Sequence, residues 1–385
     1  MVVSMQDRQK QPKSKENRPR ADIARLFSAA TTLAVFSAVI AAGLSNGELL
    51  NLGRGIAMLS VGVMQPEGTA KVLSQRLERV PAAGRPNPPP ALPQYSTAGG
   101  LLTSGMLISK PASNPLNAPK EEGDGGKVIE LQLTTGSTFI QGVAIKNASS
   151  RTIDIAAELK KKPKITLKDT LEPQVLIYHT HTTEAYMTYY AGYYNAEDAE
   201  RTKDATRSVV AVGEAISEQL RAAGIGVIHN VTVHDSPKYA GAYERSANTV
   251  KKILKQYPTI KVIIDVHRDA VRKSSTEKYK PTVVIGGRKA AQVMLVTSLG
   301  DTKIVPNPNW AENLRLALRV QKELHTQHKG IARPLYLVDS RYNQHLCKGA
   351  LLVEVGSEAN TVGEAVYSGE ILGKTLAKVL KSFKK

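Results

Sequence analysis

Two of the chain's eight histidines stand in one short stretch, Tyr178-His179-Thr180-His181-Thr182-Thr183-Glu184-Ala185-Tyr186, directly after the apolar run Val175-Leu176-Ile177. Hydrolytic zinc sites commonly take three histidine or carboxylate ligands and leave the fourth position to water. His181-x-x-Glu184 is a candidate ligand pair for such a site. A third ligand is supplied by His267 in Asp265-Val266-His267-Arg268-Asp269-Ala270, which follows a second apolar run, Lys261 to Val266. A third run, Ala350 to Val353, ends in Glu354, which makes that carboxylate the candidate general base. A lone His-x-x-Glu is as readily a pair of loop residues. Four such groups, each closing a strand-like run or the turn after one, make a stronger case.

Two choices stay open at this level. Residues 179 and 181 point the same way along an extended chain, so both approach a metal and either can be the ligand. His181 lies past the strand and three residues before Glu184, which leaves His179 as an orienting group or a hydrogen-bond donor to the transition state. Arg268 has two readings: a group that binds a substrate carboxylate, or a structural ion pair with Asp265 or Asp269. His325 and His328 end a helix-like pattern and read as solvated, and His229, His234 and His345 receive no metal role.

The elements that must position these groups alternate between strand and helix periods. Helices are expected at 204–223, where Val209, Val212, Ile216 and Leu220 recur before Gly224, and at 242–256, 309–328 and 362–380. Strands are expected at 175–177, 225–228, 261–266, 282–285, 292–297, 335–338 and 350–353. This order gives a layered α/β sheet over 171–385, in which sites lie off the carboxyl ends of the strands. Ahead of it, 127–170 reads as a small β-rich subdomain, with runs at 128–133, 139–145 and 152–155.

The amino-terminal third has another character. Residues 1–25 form a basic tail, and 26–47 carry no charge over about 22 residues, enough to cross roughly 30 Å of hydrocarbon as a helix. A cleaved signal peptide is the competing reading, favoured by the small residues of 38–42 and opposed by the length of the run. The charge bias places the tail in the cytoplasm and the rest outside. Residues 48–126, with the Pro86 to Pro93 run, form a Pro/Gly-rich stalk.

A formal charge of +18 over 385 residues calls for an anionic partner. The topology argues against nucleic acid and for a membrane surface or an anionic wall polymer. With Cys347 the single cysteine, neither an internal disulfide nor a cysteine-based zinc cluster can form.

The three motifs, with Leu352-Val353-Glu354-Val355-Gly356-Ser357-Glu358-Ala359-Asn360-Thr361 as the third, resemble the stage II sporulation protein P family of membrane-anchored peptidoglycan hydrolases over about 127–385. The resemblance implies a fold similar to the zinc-dependent N-acetylmuramoyl-L-alanine amidases, themselves similar to zinc carboxypeptidases. It implies zinc on His181, Glu184 and His267 with Glu354 as the catalytic carboxylate. Amidase plus endopeptidase activity on peptidoglycan stems is implied as well, in wall remodelling during sporulation. It further implies partners: the lytic transglycosylase called stage II sporulation protein D and a multipass membrane protein. Two other readings remain, a catalytically silent wall-binding module and a membrane-anchored carboxypeptidase that trims stems from the free end.

Overall fold

The computed structural model describes residues 124–134, 137–300 and 306–384. The expected tail (1–25) and span (26–47), and the expected stalk up to residue 123, lie outside the described residues. Among the described residues no helix is long and apolar enough to cross a membrane.

The chain runs β1 (Gly126–Leu131), β2 (Thr138–Ile140), β3 (Val143–Asn147), α1 (Ile155–Lys160), β4 (Pro173–Tyr178) and β5 (Tyr193–Tyr194). It continues through α2 (Val209–Ala222), β6 (Gly226–His229), α3 (Ala242–Gln256), β7 (Val262–Asp269), β8 (Arg272–Ser274), β9 (Glu277–Ile285) and β10 (Arg288–Ala291). Last come β11 (Val293–Ser298), α4 (Trp310–Gln327), β12 (Leu335–Val338), β13 (Ala350–Ser357) and α5 (Val362–Lys381). Among the described residues eight strands form one mixed sheet in the order β2-β3-β12-β11-β13-β7-β4-β6. The stretch β13-β7-β4-β6 is wholly parallel. A second sheet, β10-β9-β1-β5 with β8 on β9, stands beside it.

Residues 127–170 supply strands to both sheets: β1 pairs with β5 and β9, whereas β2 and β3 extend the main sheet beyond β12. The strand expected at 152–155 is absent. Asp154 accepts a hydrogen bond from the Ala157 N–H and starts α1 at Ile155 instead, the preference of a short acidic side chain for a helix N-cap. The hairpin β9–β10 turns at Gly286 and Gly287, both at positive φ. Several strands run further than their apolar cores suggested, β7 to Asp269 and β13 to Ser357, so His267 and Glu354 lie within strands.

Strand period 2 decides which side chain meets which layer. Val175 and Ile177 of β4, Val262, Ile264 and Val266 of β7, and Leu351, Val353 and Val355 of β13 pack into one apolar core with α2, α4 and α5. Leu176, Tyr178, Ile263 and Ala350 face the other way, onto Val250 and Ile253 of α3. By the same alternation Asp265, His267 and Glu354 lie on the α3 side. Strand β4 separates β6 from β7, so the chain leaves it for one neighbour and later returns to the other, with α2 and α3 on opposite faces. That is a topological switch point, where α/β sheets open a crevice at the carboxyl ends of their strands.

Asn360 closes the end of β13. Its Oδ1 accepts the Ser357 N–H at 2.9 Å, and its Nδ2 donates to Pro281 O, Thr282 Oγ1 and Glu364 Oε2 at 3.3, 3.2 and 3.1 Å. Glu364 in turn completes a capping box with Thr361 at the start of α5. Asn360→Ala leaves several buried groups without partners, at about 1–3 kcal/mol each. The variant should lose about 2–4 kcal/mol in urea denaturation followed by circular dichroism.

Candidate active site

The centre of the crevice is His267. Its Nδ1 lies 3.4 Å from Glu184 Oε2, and its Nε2 lies 3.0 Å from Asp265 Oδ1. The second contact is off the line of the ring N–H, which leaves Nε2 without a directed hydrogen bond. The attraction to Asp265 is therefore mainly one of charge. Burial pulls the imidazolium down, but Asp265 and Glu184 outweigh it and raise its pKa well above the ordinary value. Asp265 is itself fixed: its carboxylate accepts the Thr180 N–H at 2.8 Å and the Thr180 hydroxyl at 2.6 Å. For Glu184, burial raises the pKa, and the hydrogen bond and charge of His267 with the charges of His181 and Arg268 bring it down to about 2. Its Oε2 also accepts the Arg268 N–H at 3.1 Å.

His181 stands beside this pair, its ring centroid 5.3 Å from that of His267. The ring stacks on Tyr239 at 4.4 Å and meets the edge of Tyr243. Its Nδ1 is buried and has no hydrogen-bond partner. Burial lowers its pKa to about 3, with the charges of His267 and Arg201 acting in the same direction against Glu184. It is a neutral imidazole with a free lone pair.

His179 goes elsewhere. Strand β4 ends at Tyr178 and the chain turns through 180–183, so the shared direction expected for residues 179 and 181 is lost. His179 follows the alternation of Val175 and Ile177 towards α2. Its Nδ1 lies 2.9 Å from Val266 O and its Nε2 2.9 Å from His229 Nε2, which uses both ring nitrogens. The Nδ1 of His229 reaches Glu214 Oε2 at 2.7 Å, and Arg221 holds the other oxygen at 2.8 Å. Burial raises the Glu214 pKa, but His229 and Arg221 overcome it and set it near 2.

Glu354 faces His267 across the β13–β7 ladder, in direct register. The residue keeps some exposure, yet its Oε2 is sealed and unpartnered. Burial raises its pKa to about 8; His267 and Arg333 pull downwards, and Asp269 and Glu184 push with the burial.

Arg268 does not form the ion pair expected with Asp265 or Asp269. Its guanidinium donates to backbone carbonyls, from Nε to Ala185 O at 3.0 Å, from Nη2 to Glu200 O at 2.7 Å and from Nη1 to Asp269 O at 3.4 Å. The carboxylate of Asp269 pairs with Arg333 instead, at 2.8 Å. Buried on the strand after His267, Arg268 ties the loop 184–200 to β7 through three of its five N–H groups.

A zinc ion fits the donor set in part. Two ligands about 2.1 Å from a tetrahedral zinc stand about 3.4 Å apart, the separation of His267 Nδ1 and Glu184 Oε2. The orphaned Nδ1 of His181 supplies a third donor, and two anionic carboxylates already hold a positive charge at the centre. As the side chains stand, among the described residues no three His, Cys, Asp or Glu groups close tightly enough to hold a metal. The sequence reading missed Asp265 as the carboxylate behind His267, the tyrosines of 239 and 243, and the role of His229. Asp265 was legible two residues before His267 on the same strand face; nothing local marks the others.

A parallel stretch of a mixed α/β sheet carrying a histidine and carboxylate centre at its switch point defines a class, layered α/β proteins with a site at the carboxyl ends of their strands. Within that class the chain belongs to the family described as Stage II sporulation protein P (SpoIIP), whose model matches residues 131–377. The Stage II sporulation protein P of Bacillus subtilis (strain 168) is 28% identical over 270 residues, 67% of this chain and 61% of that protein. Solved structures that align with this chain include the N-acetylmuramoyl-L-alanine amidase AmiC2 of Nostoc punctiforme, at 12% identity and a TM-score of 0.34 over 55% of this chain and 96% of that one. The CwlD amidase from Clostridioides difficile, solved in complex with the GerS lipoprotein, is another, at 14% identity and a TM-score of 0.32 over 54% and 94%. Likeness at these levels assigns neither activity nor ligand.

The Glu354 carboxyl gives a prediction in the metal-free protein. Its pKa is 4.5 as a free group and about 8 when folded, so unfolding releases a proton between those pH values and stability falls as the pH rises through that window. Glu354→Gln removes this loss. The melting temperature of the variant in excess chelator should gain on that of the parent as the pH goes from 5 to 8. A constant difference would show that Glu354 is not held protonated.

Proposed function

We propose that the protein is a membrane-anchored, zinc-dependent peptidoglycan hydrolase that cleaves the N-acetylmuramoyl-L-alanine amide bond, with endopeptidase action on the same stems, in wall remodelling during sporulation and engulfment. The observation that carries this reading is the meeting of four groups from three parallel strand ends: Nδ1 of His181, Glu184, His267, and the unpartnered carboxyl of Glu354 in register with His267. The motif resemblance supports the substrate class. The uncharged run 26–47 behind a basic tail supports an anchor with the catalytic domain outside, on the mother-cell membrane facing the forespore. A sporulation lytic transglycosylase and a multipass membrane protein are the partners we propose.

In this reading His181, Glu184 and His267 would hold zinc, which supplies polarisation of the scissile carbonyl and activation of water at neutral pH. Asp265 fixes the His267 ring and its charge, as second carboxylates do behind metal-binding histidines. Glu354 accepts a proton from the attacking water on its carboxylate and returns it to the leaving amine nitrogen. Tyr239 and Tyr243 wall the His181 ring and exclude bulk water.

The test is mass spectrometry of purified sacculi digested by the full chain. Intact stems with a free L-alanine amine should be released from uncut glycan. Trimming of terminal residues alone would point to a carboxypeptidase, and wall binding without products to a silent module. Glu354→Gln should keep its zinc and lose about 10²–10⁴-fold in turnover. His267→Ala should lose the metal by elemental analysis, because two ligands hold zinc far more weakly than three. Full zinc occupancy in that variant would remove His267 from the ligand set.

A further inference from the structure

The buried chain Glu214, His229 and His179 has no part in the chemistry above, yet it touches the backbone of both segments that carry the metal-binding candidates. His179 stands two residues before His181. Its ring nitrogen Nδ1 bonds the carbonyl of Val266, the residue before His267. Its own carbonyl accepts the Thr182 hydroxyl at 3.0 Å and lies 2.8 Å from His234 Nδ1, which shapes the turn leading to Glu184. The other face of the ring rests on His229, and His229 on Glu214 of α2, itself held by Arg221.

Helix α2 makes room for this chain at one residue. A Cβ on Gly213 would stand 2.6 Å from His229 Nε2 and 2.7 Å from His179 Nε2, far inside contact distance. Two imidazoles packed only as core would tolerate small shifts. Three directional contacts in series, running from Val266 on β7 through His179 after β4 and His229 to Glu214 on α2, do not.

We infer that Glu214, His229 and His179 form a hydrogen-bonded brace that fixes the spacing between the His181–Glu184 turn and His267, and that they are positioning residues for the metal. The inference rests on the zinc reading proposed above. Partners of this kind behind metal ligands typically change affinity by about 10–100-fold.

The experiment measures the zinc dissociation constant of the full chain by competition with a chromophoric chelator, at a temperature where circular dichroism shows every variant folded. His229→Ala and Gly213→Ala should each weaken zinc by about 10–100-fold. The double variant should be no weaker than the worse single one, since both break the same brace. His229→Gln, with a donor and an acceptor on a side chain of similar reach, should recover much of the affinity and serves if His229→Ala fails to fold. Leu220→Ala, a buried core truncation on the same helix, is the control. It should lower the melting temperature while the folded protein keeps parental affinity. Parental affinity in both His229→Ala and Gly213→Ala, or an equal loss in Leu220→Ala, would overturn the brace. If the parent protein itself binds no zinc, the metal reading fails and the brace fails with it, a different result from a parent that binds and variants that bind equally well.

Discussion

Three buried charges at the mouth of the parallel sheet constrain everything around them. Glu184 and Asp265 are carboxylates almost closed to water, with His267 between them. Buried ions persist only when paired and hydrogen-bonded, because the cost of removing each from water is several kcal/mol. Asp265 meets that condition through Thr180, and Thr180 Oγ1 is backed by Ser246 on α3, which also takes a hydrogen bond from Asn343. Glu184 meets it through the Arg268 N–H. With His267 protonated, the imidazolium and the two carboxylates sum to one net negative charge, and the buried Arg268 guanidinium acts on Glu184 from the other side.

The sheet supplies the rest. Strand alternation sends Val266, Val353 and Ile177 to one core and their neighbours His267, Glu354 and Tyr178 to the other side. A one-residue slip of β13 against β7 would turn Glu354 into the apolar core. The apolar positions that fix the register therefore also fix the distance between the candidate base and the candidate ligand. Glu354 Oε2, like His181 Nδ1 and His267 Nε2, is sealed from solvent and has no hydrogen-bond partner in the protein.

Much of this was legible in the sequence because its carriers are local. The helices over 209–222, 242–256, 310–327 and 362–381 stood within a few residues of their apolar periods, and β12 was found over its full length. The three strand-end motifs were visible as motifs, and the structure brings His181, Glu184, His267 and Glu354 together. What failed was the extrapolation of local geometry. The turn after Tyr178 sends His179 and His181 to opposite faces of the sheet, which no spacing rule reveals. Arg268 spends its donors on carbonyls of residues 185 and 200, a long-range use that its flanking aspartates disguised. The partners of His229, His179 and Glu214, are 50 and 15 residues away, so its neighbours in sequence carry no sign of the contact. The second sheet escaped notice for the same reason: β1 finds its parallel partner β9 some 150 residues later.

The central claim is that His181, Glu184 and His267 together hold one zinc ion. X-ray absorption at the zinc edge on the full chain, loaded with one equivalent of metal, tests it most directly. The account expects nitrogen and oxygen neighbours at about 2.0–2.1 Å with the outer-shell scattering of two imidazoles and no sulfur. A spectrum of six water-like oxygens, or one fitted by a single imidazole, would contradict it.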